Sequence, residues 1–380
     1  MKYRTLGRTG LKVSQLGFGA MRLPMRGEGN DQKVDRERAI PMIHRAFEAG
    51  VNYIDSATMY CNGDSEVVVG EALKGWRDRI VVSTKNPYYD NDEKEWFANL
   101  ERSLKRLDID GIDIYNHHGI SWQRYEDAVA PRIANWMRKA CDQGFVKHIC
   151  TSFHDGNDAL RKIVDTGYVA SVTLQYNLLD RKLEDGIAYA RENGLGVVVM
   201  GPVGGGRLGA RSETLESVVP GIERVPDLAL RFVLNNPHVT VALSGMSTMQ
   251  HVEENLATAS DDIALSPRDA DAIEDHFRRM RAMADLYCTG CEYCQPCPQN
   301  VAIAKIFERY NYGRVCGLWE TARSRYLAIG SNQWDAGEKA DRCIECGECE
   351  PKCPQSIPIR KYLKEAHEKL TGAEMPSGKP

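Results

Sequence analysis

Residues 51–62 read VNYIDSATMYCN. An apolar run with β-forming residues (Val51, Tyr53, Ile54) delivers a carboxylate, Asp55, and Tyr60 follows in the loop beyond it. A free phenol, with a pKa of about 10, holds its proton too tightly to be a common acid at neutral pH. A carboxylate close to it therefore calls for a third, cationic group that favours the phenolate. The stretch is also one unit of a repeat, a strand that ends in polar groups and leads into a helix over 65–74.

Reading outward, that unit recurs. Strands are expected at 15–20, 52–55, 79–84, 112–117, 146–151, 171–175, 196–200 and 238–243. Helices are expected at 36–48, 65–74, 93–107, 125–143, 157–166, 183–192, 226–235 and 249–259, with Gly50, Gly75 and Gly144 as stops. Strand-helix alternation requires parallel strands joined by helical crossovers. Eight units in roughly 250 residues fit a closed (β/α)8 TIM barrel. An open doubly wound sheet needs a Gly-rich fingerprint after its first strand, which GFGAMR (residues 17–22) does not supply. An N-terminal β-hairpin turning at Thr9-Gly10 precedes the barrel, 26–37 reads as a loop, and a capped helix over 266–277 lies outside the barrel. The expected domains are a barrel over 1–282, a small second domain over 283–370 and a tail over 371–380.

The chain has 380 residues and a net charge of −4, with acidic and basic residues mixed along it. Nothing in that distribution points to a nucleic-acid or membrane surface. No apolar run approaches the roughly 20 residues of a membrane span, and the N-terminus lacks the apolar stretch of a signal peptide. A cytoplasmic protein is the expectation. Of twelve cysteines, eight form two runs, at 288–297 and 343–353, while Cys61, Cys141, Cys150 and Cys316 are scattered. In a cytoplasmic chain such a cluster reads as metal ligands rather than disulfides.

In a barrel, chemistry belongs at the C-terminal ends of the strands. Those ends carry Asp55, Lys85 in VVSTKNP, and His117-His118 in IDIYNHHG, with Tyr60 in the loop after Asp55. Singly, each has an ordinary reading as a helix cap, a solvated lysine or a structural histidine. Together with YIDSATMY, STK, DIYNHH, SFH and LQYN in that order, they make residues 1–275 resemble the aldo-keto reductases. The resemblance implies that Tyr60 is the general acid protonating a carbonyl oxygen and that Lys85, ion-paired with Asp55, favours its phenolate. It also implies that a histidine orients the carbonyl. Strand alternation points only one of the pair inward, and the family spacing from Asp113 selects His118.

The resemblance further implies NADP(H) or NAD(H) across the barrel mouth. Ser152 and Gln175, with Asn177 close by, would hold the carboxamide, and Gly19 and Met21 end the first strand beside it. Met200 stands where many relatives stack an aromatic ring. Gly201, Pro202 and Gly204 follow, with Arg207 as a cation for the pyrophosphate or as part of a mobile loop. Gly245, Ser247, Glu254 and Asn255 resemble the family's adenosine-phosphate segment at a helix start. His251 occupies a position that is Arg in many NADPH-selective members, so NADPH against NADH stays open.

Cys288, Cys291, Cys294 and Cys297-Pro298 form one run, and Cys343, Cys346, Cys349 and Cys353-Pro354 a second. The second matches the ferredoxin pattern fully and the first is one residue short before its last Cys; in that pattern the fourth cysteine of each run ligates the other cluster. Cys288, Cys291, Cys294 and Cys353 would hold one [4Fe-4S] cluster, and Cys343, Cys346, Cys349 and Cys297 a second. Two zinc knuckles are the alternative. Helix formers at 302–310 and 318–327 give a small, mostly helical ferredoxin-like domain. Cys316 reads as a packed thiol, and Cys61 as a bystander beside Tyr60. The resemblance thus implies an NAD(P)H-dependent oxidoreductase that interconverts a carbonyl and an alcohol, and two clusters could link it to a one-electron redox partner protein. The competing reading is a nicotinamide-binding redox-sensing or assembly module with little turnover, as in the potassium-channel β subunits of the family.

Overall fold

Eight parallel strands close on themselves because each has both faces covered, one by its neighbours' inward side chains and the other by helices. The computed structural model describes residues 1–28, 32–260, 265–283, 288, 292–332, 335–353 and 355–373. It divides into two compact units, Met1–Gly206 with Ala229–Ala264, and Arg207–Leu228 with Leu265–Pro380.

In the first unit a hairpin, β1 (Tyr3–Thr5) and β2 (Lys12–Ser14), turns through a short 3-10 segment, Gly7–Thr9. The barrel strand β3 (Leu16–Gly19) follows. The expected loop at 26–37 instead contains a small antiparallel pair, β4 (Met25–Arg26) and β5 (Lys33–Val34). The remaining barrel strands are β6 (Tyr53–Asp55), β7 (Val81–Asn86), β8 (Ile112–Ile120), β9 (Val146–Phe153), β10 (Ser171–Gln175), β11 (Gly196–Met200) and β12 (Val241–Gly245). They run β10-β11-β12-β3-β6-β7-β8-β9 around the closed barrel, all in parallel pairs. β12 begins three residues later than expected because Asn236 makes a turn first, its Oδ1 accepting from His238 N at 2.9 Å.

Between the strands lie α1 (Arg36–Glu48), α2 (Ser65–Leu73), α3 (Glu93–Leu107), α4 (Trp122–Arg124), α5 (Ala134–Asp142), α6 (Asn157–Asp165) and α7 (Glu184–Glu192). The expected helix at 125–143 runs from α4 to α5 through a π-helical segment, Tyr125–Ile133, which contains Pro131. Proline has no N–H for a regular ladder and clashes with the preceding turn, and a widened turn accommodates it. α3 is capped by Asp92, whose carboxylate accepts from Lys94 N and Glu95 N, and its buried Trp96, Leu100, Ser103 and Leu107 form one stripe.

Period-two alternation sets the interior. Tyr53, Ile114, Cys150, Val198, Val241 and Leu243 point inward and form a buried cluster that Leu6 and Val13 of the hairpin close from below. Ile54, Val82, Tyr115 and Phe18 point outward to the helices. At Gly17 a Cβ would lie 2.7 Å from Leu243 and 2.8 Å from Val241, so the interior has no room for a side chain there.

The chain continues through α8 (Glu213–Glu216), α9 (Val225–Asn235), α10 (Met249–Ser260) and α11 (Pro267–Met283). The second unit is mostly helical, built on α12 (Ile303–Cys316), α13 (Trp319–Leu327) and α14 (Ile359–Thr371). The Trp319 ring occupies the space beside Gly313, where a Cβ would come within 2.3 Å of it. α14 was not expected from sequence and runs up to the start of the expected tail, of which 374–380 lie outside the described residues.

Leu6→Ala removes a hairpin side chain from this plug and is expected to cost about 2–5 kcal/mol. Urea unfolding followed by tryptophan fluorescence reads this as a lower midpoint. An unchanged midpoint would show that the hairpin is not part of the barrel core.

Candidate functional site

The alternation that fills the barrel floor with apolar side chains turns polar at the C-terminal ends. In β6, Tyr53 and Asp55 face inward, in β7 Ser83 and Lys85, and in β8 Asn116 and then His118. Lys85 Nζ donates to Asp55 Oδ2 at 2.6 Å and to Ser56 O at 2.7 Å. Ser83 Oγ donates to Asp55 Oδ1 at 2.8 Å, and Asn116 Nδ2 donates to Ser83 Oγ at 3.0 Å. The pair is almost completely buried, with side-chain exposures of 2% for Lys85 and 6% for Asp55. Burial alone pulls the Lys85 ammonium down. The charges of Asp55 and Tyr60, and hydrogen bonds to both, outweigh it and hold Lys85 above the usual lysine range.

Tyr60 lies over this pair, with Lys85 Nζ 4.8 Å from its ring centroid. His118 meets the Tyr60 ring edge-on, with centroids 6.2 Å apart. His117 points the other way, into the helix layer, where its Nε2 is 3.0 Å from Tyr168 Oη. The pairing of β8 with β9 is irregular between His117 and Ile120, which re-aims His118 at the strand end. Burial pushes His118 down to about 3, helped by the charges of Lys85, His154 and Arg124, so its imidazole is neutral at neutral pH. Its Nδ1 is buried with no hydrogen-bond partner among the described residues. A buried polar atom left open beside a proton donor is suited to a ligand.

The expected cofactor residues fall as follows. Gly19 sits in the ladder between Gly245 and Asp55, and Met21 is exposed beside it. Ser152 is buried and accepts from Gly119 N at 2.8 Å. Gln175 and Met200 are paired in register and half-buried. Gly201 packs on the Gln175 amide and accepts from Asn177 Nδ2 at 3.1 Å. Pro202 is buried and Gly204 N donates back to Gly201 O. Ser247 N donates to His251 Nδ1 at 3.4 Å, and Asn255 Nδ2 to Ser244 Oγ at 2.9 Å. Glu254 accepts from Gln250. Arg207, expected to face a pyrophosphate, donates to the Tyr312 hydroxyl and lies 3.6 Å from Glu308, within the second unit. Arg22 was not singled out from sequence, and its side chain runs alongside Gly245 and Gly205. Tyr89 and Arg124 were also missed, because no local pattern marks them, and His154, although it ends the SFH motif, was given no role. Ser83 and Asn116 were legible in principle, each two residues from a site residue on its own strand.

In the second unit two concavities carry cysteines. One is lined by Cys297, Cys343, Cys346 and Cys349, with Cys294, Ile303, Arg360 and Leu363. The other is lined by Cys288, Cys294 and Cys353, with Ile303, Phe307, Ile357 and Ile359. Cys291 lies outside the described residues. Among the described residues no three His, Cys, Asp or Glu side chains are grouped as for a single metal ion. Cys316 is a buried thiol, pushed up to about 12 by burial. Cys61 Sγ is 3.6 Å from Ala20 O and from Met21 O.

A nicotinamide-dependent oxidoreductase barrel is the class that this fold and site define. The aldo/keto reductase family model matches residues 15–225, and a 4Fe-4S dicluster domain model matches residues 287–357. The chain therefore belongs to the aldo/keto reductase family, as an NAD(P)H-dependent oxidoreductase with a C-terminal iron–sulfur domain. It is 26% identical over 294 residues to an uncharacterized oxidoreductase of Bacillus subtilis, covering 68% of this chain and 92% of that one. It is 29% identical over 319 residues to the NADH-specific methylglyoxal reductase of Escherichia coli, covering 71% and 96%. An aldo-keto reductase of Bacillus halodurans in its holo form superposes with a TM-score of 0.63 at 28% identity, covering 72% and 96%. No helix among the described residues is long and apolar enough to cross a membrane.

His117, deeper than His118, is also pushed down to about 3 by burial. The unfolded chain takes up this proton from about pH 6.5 downward, whereas the folded chain does so only near 3. Stability is thus predicted to fall as pH drops through that window, by up to about 1.4 kcal/mol per pH unit for the group. Urea titrations of the wild type and of His117→Asn at several pH values check this. A slope that the substitution leaves unchanged would contradict it.

Proposed function

We propose that the barrel interconverts a small carbonyl compound and its alcohol, with Tyr60 as the general acid and base. The observation that carries this reading is the buried Lys85–Asp55 pair at 2.6 Å, set against the Tyr60 ring with His118 on its other side. A bound nicotinamide supplies or accepts the hydride. The Tyr60 hydroxyl gives its proton to the carbonyl oxygen, and Lys85 stabilises the phenolate that this leaves behind. Asp55, itself held by Ser83, fixes the ammonium under the ring. Neutral His118 orients the carbonyl oxygen by hydrogen bonding and adds no competing charge.

Ser152, Gln175 and Asn177 would hold the carboxamide, and Met200 would support the ring face. Gly19, Met21, Gly201, Pro202 and Gly204 would let backbone approach the cofactor, and Gly245, Ser247, His251, Glu254 and Asn255 would take the adenosine end. Arg22, beside Gly245 and Gly205, adds the cation suited to the phosphates. Arg207 is engaged with Tyr312 and Glu308 and is a weaker candidate for that role. The naming of a relative as NADH-specific supports testing NADH alongside NADPH.

For the second unit we propose two [4Fe-4S] clusters with crossed ligation. Cys288, Cys291, Cys294 and Cys353 would hold one, and Cys297, Cys343, Cys346 and Cys349 the other. What supports this is that Cys353 lines the concavity of the first run, while Cys297 lines that of the second. Each cluster supplies a one-electron carrier, suited to a one-electron redox partner protein. Eight thiolate ligands fit a reducing, cytoplasmic setting.

Two measurements test these readings. Tyr60→Phe is expected to lower carbonyl reduction by about 10²- to 10⁴-fold while NADPH or NADH still quenches protein fluorescence. Retained turnover would sink the assignment of Tyr60. The wild type should contain about eight irons and eight sulfides per chain, and Cys353→Ala and Cys297→Ala should each lose about half. A full loss confined to one of the two variants would contradict crossed ligation.

A further inference from the structure

Beside His118 the barrel mouth carries a cation, Arg124, that no acidic side chain among the described residues pairs with. Arg124 ends α4 and donates from Nη1 to Gly119 O at 2.6 Å, with its guanidinium carbon 4.9 Å from the Tyr89 ring centroid. The Tyr89 hydroxyl in turn donates to His118 O at 3.0 Å. His154 follows β9 and donates its backbone N–H to Ile120 O at 2.8 Å. Arg124 and His154 both flank Gly119, the residue next to His118. A Cβ built there would lie 3.6 Å from Arg124 Nη1 and 4.0 Å from His154 Cδ2.

Both side chains are exposed at the mouth, and among the described residues neither is in an ion pair. Arg77, Arg102, Arg106 and Arg181 each have a carboxylate. Asp155, next to His154, accepts from Trp122 N at 3.0 Å and Gly156 N at 2.8 Å, and Asp127, three residues after Arg124, accepts from Gln123 Nε2 at 2.9 and 3.0 Å. Lys85 is already balanced by Asp55. With Nη1 committed to Gly119 O, the Nε–Nη2 edge of Arg124 makes no hydrogen bond among the described residues. That edge is a planar fork matched to a carboxylate.

The position also separates this charge from the cofactor's phosphate end. Around the closed barrel β8 and β12 are four strands apart, so Arg124 lies across the mouth from the Gly245–Ser247 segment. Partial desolvation lowers the His154 imidazole, and the charges of Lys85 and Arg124 lower it further, which is consistent with a positive field at this side of the mouth.

We propose that Arg124 and His154 form a carboxylate subsite, so that the carbonyl compound taken by this barrel is itself an anion, an oxo acid or an aldehyde acid. The carboxylate reaches the Arg124 fork and His154, while the carbonyl reaches Tyr60 and His118. This rests on the carbonyl-reduction reading above, and the test separates the two.

With the full-length protein and NAD(P)H, reduction of 4-carboxybenzaldehyde is compared with that of methyl 4-formylbenzoate, and of succinic semialdehyde with butanal. The wild type is expected to prefer each acid at least tenfold in kcat/KM, mainly through a lower KM. Arg124→Gln should bring the ratio to about one, and Arg124→Lys should restore part of it. Equal turnover of acid and neutral partner by the wild type would overturn the proposal, as would a ratio unchanged in Arg124→Gln. Calorimetric titration with 4-(hydroxymethyl)benzoate gives a second readout. At least tenfold weaker binding to Arg124→Gln supports the subsite, and equal binding overturns it. Arg124-dependent binding without reduction of any aldehyde would support the subsite while overturning the carbonyl-reduction reading.

Discussion

A lysine ammonium and an aspartate carboxylate, both nearly out of contact with solvent, meet at 2.6 Å inside the upper rim of the barrel. Desolvating two charges costs several kcal/mol each, and their attraction offsets this only when the geometry is good and the remaining polar atoms are satisfied. Here Ser56 O takes a second Lys85 proton, Ser83 donates to the other carboxylate oxygen, and Asn116 holds Ser83. The arrangement spreads over β6, β7 and β8, so it exists only if those three strands keep their register. Fold and chemistry meet in this pair.

The same alternation explains why the barrel is rigid below and reactive above. On the floor, Tyr53, Ile114 and Cys150 pack with Leu6 and Val13 of the hairpin. Higher on β6, β7 and β8, the inward positions are Asp55, Lys85 and His118. A polar set on strands anchored by a close-packed floor is held to a narrow geometry. In the proposed reaction the neutral imidazole of His118 and the charged ammonium of Lys85 would divide the work, one orienting by hydrogen bonds and the other compensating developing charge.

The fold was legible because the period-two and helical patterns alternate so regularly, and because strand-end residues in a barrel face one mouth. The choice of His118 over His117 could be framed by alternation, and the structure puts His118 against Tyr60 and His117 against Tyr168. Less was visible where the contact partner is remote in sequence. Tyr89, Arg124 and His154 come from three separate segments, two loops and the end of α4, and share no motif. The engagement of Arg207 with Tyr312, over a hundred residues away, has no local signature. The β4–β5 pair and the π-helical turn at Pro131 were missed because short strands and widened turns carry almost no periodic signal. In the second unit the cysteine spacing conveyed the ligand chemistry, and the two concavities, one with Cys353 beside Cys288 and Cys294 and the other with Cys297 beside Cys343, Cys346 and Cys349, support the crossed ligation proposed above.

The central claim is that Asp55 and Lys85 act as one device in the service of Tyr60. A double-mutant cycle on the single-turnover rate of nicotinamide oxidation tests it directly, with Asp55→Asn, Lys85→Met and the pair combined. Because each partner is useful only through the other, each single change is expected to cost about 10²-fold or more, and the double variant should be no slower than the slower single one. Rate losses that multiply in the double variant would show that the two residues act independently and would contradict the account.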